Sequence, residues 1–208
     1  MANYFVTGIG TEVGKTVASA VLVSALKADY WKPVQSGDLH YTDSDKISSW
    51  AEGRLAKIHP ERYRFKMPAS PHRAAAAEDI GIDLDDFQLP AIDKGQNLII
   101  EGAGGLLVPL NQRDTMMDLM ASLGQPVILV SRHYLGSINH TLLSIAALRA
   151  AKIDIAGLIY SGDAKPTTEG IIEEMTGISP LFRIPEWPDI SSERINDFAQ
   201  KLDLSSLN

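Results

Sequence analysis

The feature that most constrains this chain lies near its start, where a short apolar segment runs into a glycine-rich turn and then into a helix-like stretch. Residues 8–16 read Gly-Ile-Gly-Thr-Glu-Val-Gly-Lys-Thr; they follow Tyr4-Phe5-Val6 and precede the stretch from Val17 to Lys27. Glycine tolerates positive φ, so such a turn can wrap around a phosphate. The helix behind it offers unpaired N–H groups and the positive end of its dipole. The pattern predicts a phosphate-binding loop.

The spacing of this loop differs from the usual G-x-x-x-x-G-K-[ST] form, because the segment from Gly8 to Gly14 is one residue longer. In that motif the lysine, here Lys15, reaches the β- and γ-phosphates, and the hydroxyl of Thr16 ligates Mg²⁺. The alternative is an ordinary glycine-rich turn before a helix. The strand, the Lys-Thr pair and the helix all lie where the motif requires, which favours a nucleotide-binding protein.

Composition indicates one globular unit. A length of 208 residues, 45% of them hydrophobic and 22% charged, suits a single α/β domain over residues 1–208. The net charge of −7 gives no general attraction to nucleic acid or to an anionic membrane. The sequence has no cysteine and no signal-peptide pattern, and its apolar runs are far shorter than the ~20 residues that span a bilayer. We therefore expect a cytoplasmic protein that binds neither nucleic acid nor membrane.

Short apolar segments alternate with helix-like stretches along the chain. Strands are expected at residues 4–7, 30–34, 97–101, 127–130, 155–160 and 181–184, and helices at 15–29, 43–52, 115–123, 138–151, 168–176 and 191–202. Residues 53–82 are expected to be irregular, and residues 83–93 allow a helix broken by Pro90. This alternation predicts an α/β fold of the P-loop NTPase type, with a single mostly parallel sheet and helices on both faces. Ligands of such sheets bind at the carboxyl ends of the strands.

Candidate polar side chains follow three of these strands. Glu101 ends an apolar strand and, with Thr16, supplies the hard oxygen ligands that Mg²⁺ prefers; the alternative is a solvent-facing strand end. Asp45 is a candidate third ligand, and the alternative for it is a helix N-cap or a first-turn acid. Lys32 alone would be a surface charge, but it lies at a strand end opposite Lys15. Two converging lysines would stabilise an anion that passes between a phosphate and an acceptor.

A second candidate anion site begins at Gly136, where the segment up to Asn139 opens a predicted helix. The alternative is simple N-capping by Ser137. The sequence leaves both interpretations open.

Taken together, these segments resemble the dethiobiotin synthetase family, in the same order over most of the chain. The matching segments are Thr7–Ser19, Trp31–Gly37, Ser44–Asp45, Ser70–His72, Ile100–Gly105 and Leu135–His140. The resemblance also accounts for the long loop, because the family's own phosphate loop is stretched in the same way. It implies an Mg²⁺- and ATP-dependent cyclo-ligase that carboxylates 7,8-diaminononanoate with CO₂ or bicarbonate. A carbamate and a carbamic–phosphoric anhydride precede closure of the ureido ring, and the products are dethiobiotin, ADP and phosphate.

The resemblance also assigns residues to roles. Thr16, Asp45 and Glu101 bind Mg²⁺; Lys32, Lys15 and Thr11 serve catalysis; and Glu12 and Ser36 line the reaction centre, with Ser36 binding substrate. The residues that bind the nucleotide are Gly10, Glu12, Val13, Gly14, Lys15, Thr16, Val17 and Glu101. The family works as a homodimer with the diamine across the interface, so Gly136, Ser137 and Asn139 of one subunit would hold the substrate carboxylate in the other.

One segment departs from the family. Where the family carries an Asn-Asp pair that reads the adenine base, this chain has Tyr160-Ser161-Gly162-Asp163. Base recognition must then rest on other groups, such as Ser161 or backbone atoms near Pro185 to Trp187, with ATP as the expected nucleotide.

Two other classes of protein fit the phosphate loop. The first is a P-loop ATPase switch of the partition or division-positioning type, which carries an additional lysine near the start of the loop; residues 8–14 contain none. The second is a non-catalytic nucleotide-binding regulator. Such a regulator has no reason to place Lys32, Asp45 and Glu101 around the loop.

Overall fold

The computed structural model describes residues 3–207, within which the chain forms nine strands and seven α-helices. The strands are β1 (Asn3–Gly8), β2 (Asp29–Trp31), β3 (Val34–Ser36), β4 (Ile58–His59), β5 (Tyr63–Phe65), β6 (Leu98–Gly105), β7 (Val127–Arg132), β8 (Ile155–Ser161) and β9 (Pro180–Ile184). The helices are α1 (Lys15–Leu26), α2 (Asp43–Trp50), α3 (Pro71–Ala76), α4 (Met116–Leu123), α5 (Ser137–Ala150), α6 (Pro166–Thr176) and α7 (Ser192–Ala199). The predicted domain runs over residues 1–208, and residues 1, 2 and 208 lie outside the described residues.

Seven strands form one sheet in the order β4-β2-β6-β1-β7-β8-β9, and every paired strand in it is parallel. β1 lies in the middle, where Val6 is in register with Glu101 of β6 on one side and with Ile128 of β7 on the other. The loop that follows β1 therefore leaves the centre of the sheet at its carboxyl edge. The predicted parallel sheet is confirmed.

Both faces of the sheet are covered, because neighbouring side chains of each apolar strand enter different cores. Phe5 of β1 packs in a core that includes Leu119 of α4 and Ile145 of α5. Val6, the next residue, packs on the opposite face with Leu22 of α1 and with side chains of α2 and α7. Strands buried on both faces explain why the predicted strands are continuous apolar runs rather than alternating ones. The prediction of helices on both faces is confirmed.

The structure corrects the boundaries around the second strand. The first helix ends at Leu26 rather than at residue 29, because Lys27 takes a left-handed conformation with φ 49°. The predicted strand at 30–34 is two strands, interrupted at Lys32 and Pro33. Proline has no N–H to donate to a ladder, which disfavours a continuous strand there. β3 leaves the main sheet and pairs with β5 in a separate two-stranded parallel sheet.

The prediction that residues 53–82 are irregular was wrong in part, since they contain β4, β5 and α3. Strands of two or three residues are too short to display a period in sequence. The broken helix allowed at residues 83–93 is also wrong: only a 3₁₀ turn, Leu84–Asp86, forms there, and the side chain of Asp83 accepts a hydrogen bond from the N–H of Asp85. Among the described helices none is both long enough and apolar enough to cross a membrane.

Candidate active site

The phosphate loop joins the centre of the sheet to the start of α1. Gly14 is the N-cap of α1 with φ 92°, a conformation that favours glycine. A Cβ at this position would also lie 2.6 Å from the Ser161 hydroxyl oxygen, so only glycine fits between the loop and the end of β8. Because glycine has no capping side chain, the first N–H groups of α1 remain available to an anion.

Lys15, the first residue of α1, folds back over the loop. Its Nζ donates a hydrogen bond to the carbonyl oxygen of Gly10 at 2.9 Å, and the residue is 8% exposed. Burial, and then the charge of Lys32, lower the pKa of Lys15 to about 8, although Glu101 and Asp43 oppose the shift. An ammonium group at this position is poised to exchange a backbone carbonyl for a phosphate oxygen.

Glu101 is the centre of a buried polar cluster at the carboxyl edge of the sheet, with 1% of the residue exposed. Its Oε1 accepts hydrogen bonds from the hydroxyl of Thr16 at 2.9 Å and from Nζ of Lys32 at 3.0 Å. Its Oε2 accepts from the hydroxyl of Tyr30 at 3.0 Å. The predicted convergence of Thr16, Lys32 and Glu101 is therefore present, and the alternative of a solvent-facing strand end is wrong.

Asp43 completes this cluster from the start of α2. Its Oδ2 lies 2.7 Å from Nζ of Lys32, and its Oδ1 lies 3.0 Å from Nζ of Lys46. Burial lowers the pKa of Lys32, but the charges of Glu101 and Asp43 outweigh it and the pKa is raised overall. Burial alone would raise the pKa of Asp43. The charges and hydrogen bonds of Lys32 and Lys46 outweigh burial, so the pKa of Asp43 lies below its usual value. Both groups of the pair therefore stay charged at neutral pH.

The structure corrects the position of the second carboxylate. Asp45 faces away from this cluster: the N–H and the hydroxyl of Thr42 donate to its Oδ2 at 2.8 and 2.7 Å, and Thr42 in turn accepts from the N–H of Asp45. This is a capping box, so the alternative of a helix-end acid applies to Asp45, and Asp43 takes the predicted position. The Thr-x-x-Asp spacing from Thr42 to Asp45 is a capping-box signal, and it could have identified Asp45 as the capping acid from the sequence alone.

A cleft of about 770 Å³ extends from the phosphate loop across this cluster. Predicted residues that line it are Thr11, Glu12, Gly14, Lys15, Thr16, Val17, Lys32, Ser36 and Glu101. The carbonyl of Gly10 accepts a hydrogen bond from Lys15, while Val13, a residue of the loop itself, is buried at 3% exposure. Lining residues that sequence reasoning missed include Gln35, Asp43, Lys46, Pro68 and Arg132. The segment around Pro68 follows β5, so the small sheet of β3 and β5 forms one wall of the cleft.

The donor set fits Mg²⁺. Thr16, Asp43 and Glu101 offer a hydroxyl and two carboxylates, the hard oxygen ligands that this ion takes together with water and phosphate oxygens. No group of three or more His, Cys, Asp or Glu side chains arranged to hold a metal ion occurs in residues 3–207. A magnesium site in this cleft would therefore depend on phosphate and water to complete its coordination.

The second candidate anion site lies outside this cleft. Gly136 is the N-cap of α5 with φ 104°, and no side chain caps the helix, so the alternative of N-capping by Ser137 is wrong. Ser137 is 2% exposed, whereas Asn139 is exposed. None of the three lines this cleft.

At the far side of the phosphate loop the wall is formed by the ends of β7, β8 and β9. Ser161 lies against Gly14, and the guanidinium of Arg132 pairs with the carboxylate of Glu186 at 2.7 Å.

The parallel sheet, the loop over the start of α1 and the lysine–carboxylate cluster define a P-loop nucleotide-binding protein. A family model described as an AAA domain matches residues 2–194. Solved structures with this fold include the septum site-determining protein MinD complexed with Mg-ADP from Pyrococcus horikoshii, with a TM-score of 0.58, 17% identity and coverage of 94% of this chain and 85% of that one. The ParA family ATPase from Chlorobium tepidum gives a TM-score of 0.52 at 14% identity, with 97% and 99% covered.

Two curated relatives are far more similar in sequence. The ATP-dependent dethiobiotin synthetase BioD of Christiangramia forsetii is 47% identical over 199 residues, which cover 96% of this chain and 95% of the relative. The protein of the same name from Cytophaga hutchinsonii is 46% identical over 202 residues, 97% of each chain. The chain belongs to the ATP-dependent dethiobiotin synthetase family.

Proposed function

We propose that this protein is an enzyme that carboxylates 7,8-diaminononanoate with CO₂ or bicarbonate at the expense of ATP and closes the ureido ring of dethiobiotin. The observation that carries the proposal is Lys32, held between Asp43 at 2.7 Å and Glu101 at 3.0 Å beside the phosphate loop. Relatives named ATP-dependent dethiobiotin synthetase, with nearly full coverage, support it. A nucleotide-binding protein that only senses ATP has no use for a second buried lysine at this place.

The residues of the loop would bind and orient the nucleotide. Lys15 would release the carbonyl of Gly10 and pair with the β- and γ-phosphates, while the free N–H groups at the start of α1 receive a phosphate oxygen. Thr16, Asp43 and Glu101 would hold Mg²⁺. When bound, Mg²⁺ supplies counter-charge to the transferring phosphoryl group.

The reaction then needs positive charge where two anions meet. One amine of the diamine adds to CO₂ with loss of a proton, and an oxygen of the resulting carbamate attacks the γ-phosphorus as ADP leaves. The second amine attacks the carbamoyl carbon of the mixed anhydride and phosphate departs. The ammonium of Lys32 would hold the carbamate beside the phosphate, since its carboxylate partners favour the charged form.

Two hydroxyl groups border the same space. The Ser36 hydroxyl is buried in the cleft wall and has no hydrogen-bond partner among residues 3–207, so it is free to bind substrate. Thr11 lines the exposed end of the cleft, where the extra loop residue widens the turn. We assign Ser36 to binding of the diamine and Thr11 to the reaction centre beside the phosphate.

We further propose that the enzyme works as a homodimer in which Gly136, Ser137 and Asn139 of one subunit bind the substrate carboxylate of the other. These residues lie outside the cleft of their own chain and at the start of a helix with a free amino end. The apolar side chains of Leu135 and Leu143 beside them are exposed, which suits an interface. The cytoplasmic location stays a prediction.

The deciding experiment is incubation with the diamine, bicarbonate, Mg²⁺ and a panel of nucleoside triphosphates, with mass detection of the ureido product. Lys32→Ala should abolish product while ATP still binds, and Lys94→Ala, an exposed lysine outside the cleft, should behave as the unchanged protein. Carboxylation by Lys32→Ala near the original rate would remove the role assigned to Lys32. ATP hydrolysis without any diamine-dependent product would favour the ATPase switch, whose fold is similar.

A further inference from the structure

The side chain of Gln35 links the two segments that carry Lys32 and Asp43. Gln35 lies in β3 and is 4% exposed, and its side chain lines the cleft. Its Nε2 donates a hydrogen bond to the carbonyl oxygen of Gly37 at 3.0 Å, and its Oε1 accepts one from the N–H of Asp43 at 3.4 Å. Both the donor and the acceptor of one buried amide are therefore used, the donor by Gly37 and the acceptor by Asp43.

The two backbone groups lie in the turn after β3 and at the start of α2. Gly37 has φ 78°, and a Cβ on it would lie 2.6 Å from Cα of Pro68, so the turn after Ser36 packs closely against the segment that carries Pro68. Asp43 is the first residue of α2, and its N–H has no partner within the helix. The amide of Gln35 satisfies both groups and fixes their separation.

Other polar contacts of α2 lie outside the lysine–carboxylate cluster. The side chains of Thr42 and Asp45 bond to each other, and the Ser44 hydroxyl donates to the carboxylate of Glu61 at 2.6 Å. Loss of the Gln35 amide should therefore leave α2 folded while it frees the backbone at Asp43.

We propose that Gln35 is a positioning residue, which sets the Asp43 carboxylate against Lys32 by tying the start of α2 to β3 and the turn that follows it. This inference rests on the proposed role of Asp43 in holding Mg²⁺. Groups that orient a metal ligand affect metal affinity even though they do not touch the ion. Direct contact between Gln35 and the diamine is the competing role, and it would act on diamine affinity at any Mg²⁺ concentration.

The test is a Mg²⁺ titration of the binding of a fluorescent ATP analogue, without diamine, in Gln35→Ala and in matched variants. Gln125→Ala is the control, because the Gln125 amide also bonds a carbonyl two residues away but lies outside the cleft. We expect Gln35→Ala to raise the Mg²⁺ midpoint about fivefold to tenfold, the usual effect of one lost hydrogen bond.

A double-mutant cycle separates positioning from a general loss of structure. In an Asp43→Asn background, Gln35→Ala should change the midpoint less than twofold, because the ligand it positions is already altered. An unchanged midpoint in a folded Gln35→Ala protein, or the same shift in both backgrounds, would overturn the inference. If Gln35→Ala does not fold, Gln35→Asn, which is too short to span both groups, replaces it. Failure of the proposed carboxylation would appear separately, as absence of product from the unaltered enzyme.

Discussion

Replacing Asp43 and Asp45 one at a time by asparagine tests which carboxylate serves the metal. The two acids are two residues apart, yet Asp43 contacts Lys32 at 2.7 Å and Lys46 at 3.0 Å, whereas Asp45 bonds only within the capping box. Asp43→Asn keeps the size of the side chain and removes one of the two carboxylate charges of the proposed magnesium site. Loss of a carboxylate that holds the ion should raise the Mg²⁺ midpoint about tenfold to a hundredfold, which corresponds to about 1.4–2.8 kcal/mol of binding free energy.

Asp45→Asn should instead affect the helix. Its amide oxygen can still accept from Thr42, so we expect a loss of about 0.5–1 kcal/mol in the free energy of unfolding and a Mg²⁺ midpoint within about twofold of the original. The measurements are Mg²⁺ titrations of ATP binding and of product formation, with urea denaturation of both variants. A larger midpoint shift in Asp45→Asn than in Asp43→Asn would refute the assignment made from the structure.

Three further predictions follow from the same cluster. ATP affinity should fall about tenfold between pH 7 and pH 9, because burial and the charge of Lys32 hold the pKa of Lys15 at about 8 and only the protonated amine pairs with phosphate. Calorimetry in two buffers should register proton uptake on ATP binding. An ATP affinity that does not change with pH would argue against this role of Lys15. Glu101→Gln should raise the Mg²⁺ requirement by about tenfold or more, and an unchanged titration would remove Glu101 from the metal site. Tyr30→Phe should lower the free energy of unfolding by about 1.5–3 kcal/mol, since a buried hydrogen bond to a carboxylate is lost; a urea midpoint equal to that of the unaltered protein would contradict this.

Local sequence patterns were sufficient to predict the class of fold and the position of the phosphate loop. Continuous apolar runs predicted strands buried on both faces, and Phe5 and Val6 do enter opposite cores. The glycines and the Lys15-Thr16 pair predicted a phosphate loop between a strand and a helix, and Gly14 has the positive φ that such a loop uses. These features depend on residues that are adjacent in the chain, so they can be predicted without knowledge of the fold.

The short elements of the cleft wall were not predictable in the same way. β3 and β5 have three residues each, and they pair with each other across 29 positions of the chain rather than with the main sheet. Tyr30 could be assigned to a strand, but nothing in sequence indicates that its hydroxyl bonds to Glu101. The alternative of N-capping by Ser137 failed because the chain places Gly136 at the N-cap.

What the sequence by itself determined is the class of fold, the phosphate loop and the convergence of Lys15, Lys32 and Glu101 at one edge of a parallel sheet. What only the tertiary structure decided is which acid joins them. Residues two positions apart on a helix point about 200° apart around its axis, so the Asp43 and Asp45 side chains leave different sides of α2. The capping box turns Asp45 back to Thr42, and the packing of α2 beside the sheet brings Asp43 to Lys32, across chain separations that no local pattern encodes.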